Sequence, residues 1–131
     1  PRWARAQSGA AVRLKDMDTY GYRAVEKYVG ISPQKVRLVI DQVRGMPAMA
    51  ALDVLQFMPQ AAAEPVAKAI RSAVANAEND FGVDPDTLSV AEISADGGPV
   101  RRWRRFGARG RFKPIVRRSS HIKVVLSELP E

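Results

Sequence analysis

The sequence predicts an α+β fold, and three observations support this class. Between residues 32 and 80, three segments carry apolar residues at the i, i+3, i+4, i+7 spacing of one helix face. Towards the C-terminus the spacing changes to the two-residue alternation of strands, at about 88–95, with a phase slip between Val90 and Ile93, and at 121–126. An earlier segment, 22–31, mixes aromatic and β-branched residues with charges, as short strands do. The predicted order is a strand, three helices and then a pair of strands.

Proline, serine and glycine mark the ends of the predicted helices. The first begins at Ser32-Pro33, where serine can cap the helix and proline occupies the first helical position, and it ends near Gly45. Pro47 opens the second helix and Pro59 stops it. The third covers about 62–80, and its alanine-rich stripe implies close approach to a neighbouring element. This stripe consists of Val66, Ala69, Ile70, Ala73, Val74 and Ala77.

The segment between the two C-terminal strands is predicted to form the distal half of a β-hairpin. Its turn signal is Gly107-Ala108-Arg109-Gly110, because glycine accepts the positive φ that tight hairpin loops require. Arms at about 88–106 and 111–127 would each span about 55 Å, whereas a domain of this length has a radius of gyration of about 14 Å. We therefore expect a hairpin that projects at about 97–118, with a tip that is mobile until a partner holds it.

Length and composition are those of an ordinary globular chain. The 131 residues are 46% hydrophobic and 27% charged. We expect one domain over 22–131, preceded by a basic tail at 1–21 that is disordered when free. Since no apolar run approaches the roughly 20 residues of a membrane span, and the N-terminus lacks the apolar centre of a signal peptide, we expect no membrane partner and a cytoplasmic location.

Cysteine and histidine, which serve many catalytic and metal sites, are scarce in the chain. The chain has no cysteine, which excludes disulfides and thiolate sites, and His121 is the one histidine, so no histidine cluster exists for a metal. Ser119 and Ser120 beside it lack a readable third group that would orient a base. Asp84 and Asp86 fit turn and cap roles better than acid and base roles. We therefore predict no enzyme, no catalytic residues, no metal and no cofactor.

Positive charge is concentrated at the two ends of the chain. Net charges are +3 over 1–30, −4 over 31–100 and +8 over 101–131, for a total of +7. The segment Arg101–Arg118, RRWRRFGARGRFKPIVRR, holds nine positive charges, no negative charge and three aromatic residues. Because arginine forks bind phosphate oxygens and aromatic rings stack on exposed bases, this segment indicates a nucleic-acid surface rather than a merely solvated face.

The predicted nucleic-acid contacts fall into two groups. The hairpin contributes Arg101, Arg102, Trp103, Arg104, Arg105, Arg109, Arg111, Lys113, Arg117 and Arg118. The first helix and its end contribute Lys35, Arg37 and Arg44, which lie off the apolar stripe. For each of these three, simple exposure to solvent is an equal alternative.

Short motifs that follow one another along the chain point to a family. They are Ser32-Pro33-x-Lys35-Val36-Arg37, Val43-Arg44-Gly45, Ser72-Ala73-Val74-Ala75-Asn76-Ala77-Glu78-Asn79, Gly98-Pro99, Gly110-Arg111 and Arg118-Ser119-Ser120-His121-Ile122. Together, over about residues 22–127, they resemble the large-subunit ribosomal protein family numbered twenty-two, in its bacterial form. The helix motif SAVANAEN and the strand motif RSSHI, in register with the rest, make the resemblance specific.

The resemblance implies both a fold and a function. The fold is three helices packed on a small three-stranded antiparallel sheet, with a long protruding β-hairpin. The function is that of a structural constituent of the large ribosomal subunit, which binds large-subunit ribosomal RNA, aids its assembly and lines the nascent-peptide exit tunnel with its hairpin tip. The implied partners are this RNA, neighbouring large-subunit ribosomal proteins and the nascent polypeptide, in a cytoplasmic or an organellar ribosome. The RNA contacts then also include Ser120, His121 and Lys123, with a structural role as the alternative for His121.

The predicted tip departs from the pattern of the family. Where the family has Pro-Arg-Ala, this chain reads Phe106-Gly107-Ala108, and Phe112 stands where alanine is common, so the tip loses a cation and gains bulk. We carry no family role over to Phe106 or Gly107. Two other classes stay open from the residues alone. One is an architectural DNA-binding protein that grips a duplex with basic β-arms, and the other is a small nuclease or hydrolase that uses His121.

Overall fold

The computed structural model describes residues 22–128 and confirms the α+β class. Within this range the chain forms three helices and five strands in two antiparallel sheets. The elements are β1 (Arg23–Val29), α1 (Pro33–Val43), α2 (Ala48–Gln56), α3 (Ala63–Phe81), β2 (Leu88–Gly97), β3 (Arg101–Phe106), β4 (Phe112–Arg117) and β5 (Ser120–Glu128). A three-stranded sheet has the order β1-β5-β2, and β3 pairs with β4 as a separate two-stranded sheet. The predicted basic tail at 1–21 lies outside the described residues.

The helices begin and end close to the predicted residues, with one difference in capping. α1 begins directly after Ser32 and is followed by Gly45, whose φ is 83°. The Ser32 side chain makes no capping hydrogen bond, and its carbonyl accepts from the backbone N–H groups of Lys35 and Val36, at 3.1 and 3.2 Å. The helix start is therefore confirmed and the predicted serine cap is wrong.

No helix within 22–128 has the length and apolar character needed to cross a membrane.

The core lies between the three helices and one face of the three-stranded sheet. The fully buried helix residues Val36, Ile40 and Ile70 share one cluster with Leu88 and Ile122 of the strands. α3 packs on β1 and β5, and α1 packs on β2. The buried alanines of α3 allow the close approach that the sequence predicts, because a methyl side chain adds little thickness between helix and sheet.

The phase slip that the sequence predicts in β2 is a β-bulge. The register between β2 and β5 shifts between Val90 and Glu92, so that one residue of β2 is left over. Leu88 and Val90 before the shift and Ile93 after it therefore all face the core. A strict two-residue alternation would have turned half of this strand away from the core.

The prediction of continuous hairpin arms at 88–106 and 111–127 is wrong in one respect. Each arm consists of two strands separated by a break. β2 ends at Gly97 and β3 begins at Arg101, while β4 ends at Arg117 and β5 begins at Ser120. Pro99 lies in the first break and has no N–H to donate to a ladder. Instead the Gly98 N–H donates to the Ser119 carbonyl at 2.9 Å, and the Ser119 hydroxyl donates to the Pro99 carbonyl at 2.7 Å. The two sheets therefore meet at a compact junction.

Candidate nucleic-acid interface

The β3–β4 hairpin has two faces of different chemistry. Residues that lie directly opposite each other in an antiparallel pair project to the same side, and neighbours along a strand project to opposite sides. The pairing of Arg101 with Arg117 and of Phe106 with Phe112 therefore assigns every residue to a face. The cationic face consists of Arg101, Trp103, Arg105, Lys113, Ile115 and Arg117. The second face, which we call the apolar face because four of its six side chains are apolar, consists of Arg102, Arg104, Phe106, Phe112, Pro114 and Val116.

Like charges lie directly opposite each other on the cationic face. Arg101 pairs with Arg117 and Arg105 pairs with Lys113. Directly opposed like charges destabilise a strand pair, and the chain has no Asp or Glu between Asp96 and Glu128 that could relieve the repulsion along the hairpin. A polyanion in contact with this face would remove the repulsion, so the arrangement favours a phosphate-rich partner.

Aromatic rings alternate with the cations on both faces. Trp103, which is 50% exposed, has the guanidinium groups of Arg117 and Arg101 within 5.1 and 5.9 Å of its ring centroid. On the apolar face the rings of Phe106 and Phe112 lie 5.4 Å apart with a tilt of 38°, and Phe106 is 84% exposed. These flat, accessible surfaces can stack on unpaired bases, which is how proteins hold single-stranded segments of RNA.

The hairpin tip confirms the predicted turn and leaves its cations accessible. A short 3₁₀ turn covers Ala108–Gly110, and the Gly107 N–H donates to the Arg111 carbonyl at 2.6 Å. Gly110 has a φ of 70°, the left-handed region that glycine enters without strain, and Arg109 also lies there at 59°. The side chains of Arg109 and Arg111 are exposed.

Lys35 lies beside the base of the hairpin. The start of α1 and the end of β4 together line a concave surface of about 340 Å³, to which Lys35, Arg117 and Arg118 contribute. The structure thus joins one cation of the first helix to the predicted hairpin group, although more than 80 residues separate them in the sequence.

Arg37 and Arg44 donate hydrogen bonds within the protein. Nε and Nη2 of Arg37 donate to the Ala95 carbonyl at 3.1 and 2.9 Å. Nη2 of Arg44 donates to the Ile93 carbonyl at 3.0 Å, and its Nη1 forms an ion pair with Asp41 at 2.8 Å. Both guanidinium groups thus satisfy carbonyls of β2, which is an edge strand of the three-stranded sheet.

The remaining predicted RNA contacts lie on β5, the strand that follows the hairpin, and their environments differ. Lys123 is exposed and lines a hollow of about 280 Å³ with Arg44, away from the hairpin. Ser120 is fully buried at 0% exposure, and within 22–128 its hydroxyl has no hydrogen-bond partner. Its side chain therefore faces the protein interior rather than the surface.

His121 contacts Tyr28, a residue of the site that the sequence did not predict. The backbone N–H of Tyr28 donates to Nδ1 of His121 at 3.0 Å, and the two rings meet edge to face at 5.1 Å. Tyr28 has a φ of 59°, which is rare for a residue with a side chain, and its ring is 69% exposed next to the hairpin base. Nothing in the local sequence signals this role, because an aromatic residue in 22–31 also fits an ordinary strand.

Within the described part of the chain, no three side chains of the metal-binding types come together.

Comparison with known families supplies the remaining evidence. The model of the family described as ribosomal protein L22p/L17e matches residues 24–127, which include β1, all three helices, the hairpin and nearly all of β5. The chain therefore belongs to the ribosomal protein L22p/L17e family, and it is a large-subunit ribosomal protein that binds ribosomal RNA and neighbouring ribosomal proteins.

Proposed function

We propose that this protein binds large-subunit ribosomal RNA mainly through the β3–β4 hairpin and thereby aids assembly of the subunit. The observation that carries the proposal is the cationic face, where like charges are opposed in a segment that has no Asp or Glu between Asp96 and Glu128. Such a face is unfavourable in the free protein and favourable against phosphates, so binding and ordering of the hairpin are coupled. Holding RNA segments around one hairpin is the property an assembly protein needs.

The RNA contacts we propose are graded by their accessibility. The principal ones are the hairpin cations with Trp103, joined by Lys35 and Arg118 at the base. Lys123 is a secondary contact on the body, beside Arg44, which is already bonded to Asp41 and the Ile93 carbonyl, and beside the carboxylate of Glu92. Arg37 and His121 act first through hydrogen bonds within the protein and reach RNA with the groups that remain. Ser120 is buried, so we assign it a place in the fold rather than a direct contact.

The hairpin tip is proposed to line the nascent-peptide exit tunnel. Its exposed cations Arg109 and Arg111 and the exposed ring of Phe106 fit a surface that faces both RNA and a passing polypeptide. A photo-crosslinking amino acid in place of Arg109 should form an adduct with a stalled nascent chain in assembled ribosomes. The same amino acid in place of Lys35 should not, and adducts from both positions or from neither would contradict the tunnel location.

We further propose a cytoplasmic ribosome of the bacterial type as the setting and a single domain over 22–131. The predicted basic tail at 1–21 lies outside the described residues, and we propose its four cations Arg2, Arg5, Arg13 and Lys15 as further phosphate contacts.

Co-sedimentation with large ribosomal subunits after a high-salt wash tests the whole proposal. The tagged protein should remain with large subunits and be absent from small subunits. For the purified protein, the logarithm of the affinity for large-subunit RNA should fall with the logarithm of salt by about 0.7–0.9 per phosphate contact. Recovery only in the free pool, or an affinity that does not respond to salt, would overturn the proposal.

A further inference from the structure

We propose that the cleft at the base of the hairpin is a binding site for one unstacked nucleotide of RNA, whose base stacks on an aromatic ring while arginines hold its phosphates. The inference rests on the RNA binding proposed above and names the chemistry that one site takes. The hairpin-base cleft is lined by Tyr28, Gly30, Pro99, Arg101, Trp103, Arg117, Arg118 and Ser119.

The size and lining of the hairpin-base cleft suit a nucleotide. Its volume of about 450 Å³ lies within the roughly 300–1,000 Å³ of ligand pockets. Among residues 22–128, three guanidinium groups and two aromatic rings line it, and no carboxylate does. A ligand that combines a negative charge with a flat ring matches this set, and a simple anion would leave the rings unused.

The accessible part of the Trp103 ring is suited to stacking on an unpaired base. Arg101 and Arg117 lie against the Trp103 ring, yet half of this side chain remains accessible. Bases inside a duplex are stacked on both sides and offer no face to a protein, whereas a looped-out base does. Because every base has a π face, such a site accepts any of the four bases.

Tyr28 provides independent support through its backbone. A non-glycine residue at a φ of 59° is strained and persists only where its surroundings hold it, and such residues cluster at ligand clamps. Here the hydrogen bond from the Tyr28 N–H to His121 and the edge-to-face ring contact hold the conformation. The result is an exposed aromatic ring on the wall of the cleft, at a bulge where a regular strand would place it differently.

Trp103 fluorescence in the full-length chain tests the proposal directly. The sequence has two tryptophans, so Trp3→Phe leaves Trp103 as the only one. Single-stranded oligoadenylate of about ten nucleotides should quench the Trp103 emission, because a stacked base quenches indole. Inorganic polyphosphate of the same charge, which carries no base, and an RNA duplex of the same length should leave the emission nearly unchanged. Equal quenching by polyphosphate would overturn the proposal.

Substitutions of Trp103, with a matched control at Phe57, test how much base stacking contributes to the affinity for RNA. Trp103→Leu removes the flat ring but keeps an apolar side chain, and should weaken oligoadenylate binding about 5- to 100-fold, as loss of one stacked base does. Trp103→Phe should restore most of the affinity. Phe57→Leu makes the same kind of change at an aromatic residue that is 82% exposed and outside the cleft, and should have no effect. If Trp103→Leu loses no more than Phe57→Leu, the stacking site does not exist.

The two proposals fail in different ways. If large-subunit RNA binds with a steep salt response while the Trp103 emission and the Trp103→Leu affinity stay unchanged, only the nucleotide site is refuted. If no salt-dependent RNA binding occurs at all, the proposed function falls and the nucleotide site falls with it. Circular dichroism of each variant should match that of the parent chain.

Discussion

Replacing the four arginines of β3 with alanine should weaken RNA binding strongly while leaving the fold intact. The variant combines Arg101→Ala, Arg102→Ala, Arg104→Ala and Arg105→Ala. All four side chains are exposed, and β3 packs chiefly against β4 rather than against the core. The change therefore removes charge from the proposed RNA surface without opening a cavity in the body.

The expected loss of affinity follows from counterion release. If each arginine contacts one phosphate, the slope of log affinity against log salt should fall in magnitude by about 3, at roughly 0.7–0.9 per contact. Extrapolated from 1 M to 0.15 M salt, this change corresponds to roughly 3–4 kcal/mol of binding free energy.

The expected effect on stability is small because gains and losses oppose each other. Alanine at 101 and 105 relieves the repulsion with Arg117 and Lys113, which lie directly opposite. The same variant loses the cation–π contacts of Arg101 with Trp103 and of Arg104 with Phe112, each about 0.5–1 kcal/mol at exposed sites. We expect a net change within about 1 kcal/mol, or roughly 5 °C in Tm.

Filter binding at several salt concentrations and thermal melting followed by circular dichroism measure the two quantities. Lysine at the same four positions should keep the salt slope, because it keeps the charge. Ile70→Ala is the opposite control: Ile70 is fully buried, so this change should cost about 2–5 kcal/mol of stability and leave the salt slope unchanged. A Tm of the alanine variant as low as that of Ile70→Ala, or an unchanged salt slope, would refute the separation of hairpin and core.

Three further substitutions test individual contacts. Arg37→Ala should lower the free energy of unfolding by about 1 kcal/mol in urea titrations, because the Ala95 carbonyl loses both of its guanidinium donors. Weaker RNA binding at unchanged stability would instead make Arg37 a residue that contacts RNA. Gly98→Ala should destabilise the junction by about 1–3 kcal/mol, since a Cβ there would lie 2.6 Å from the Ser119 hydroxyl, and Ser119→Ala in the same chain should recover part of the loss. Gly110→Ala should cost about 1 kcal/mol or less, as it forces φ of 70° on a side chain at the exposed tip, and its RNA salt slope should match the parent.

Much of the candidate site could be predicted from the sequence because charge density is a property of a continuous segment. The nine cations and three aromatics of Arg101–Arg118 needed no structure to be recognised, and the glycine-bounded turn located the tip. The distribution of these residues between a cationic and an apolar face required the strand register, which pairs Arg101 with Arg117. A shift of one residue would have mixed the two sets.

The contacts outside the hairpin were harder to predict, because they depend on what packs beside each residue. Arg37 and Arg44 resemble free surface cations in the sequence, yet both donate to carbonyls of a strand about 50 residues away. Ser120 and His121 are adjacent, yet one is fully buried while the other holds Tyr28 across the sheet.

The sequence by itself determined the helix positions, the approximate strand positions, the β2 phase slip and the cationic character of the hairpin segment, since periodicity, turn residues and charge density act between near neighbours in the chain. The tertiary structure alone decided the break of the arms at Pro99 and Ser119, the internal bonds of Arg37 and the strained Tyr28 beside Trp103. These features arise where distant segments meet, and their energies depend on the distances and angles that packing imposes.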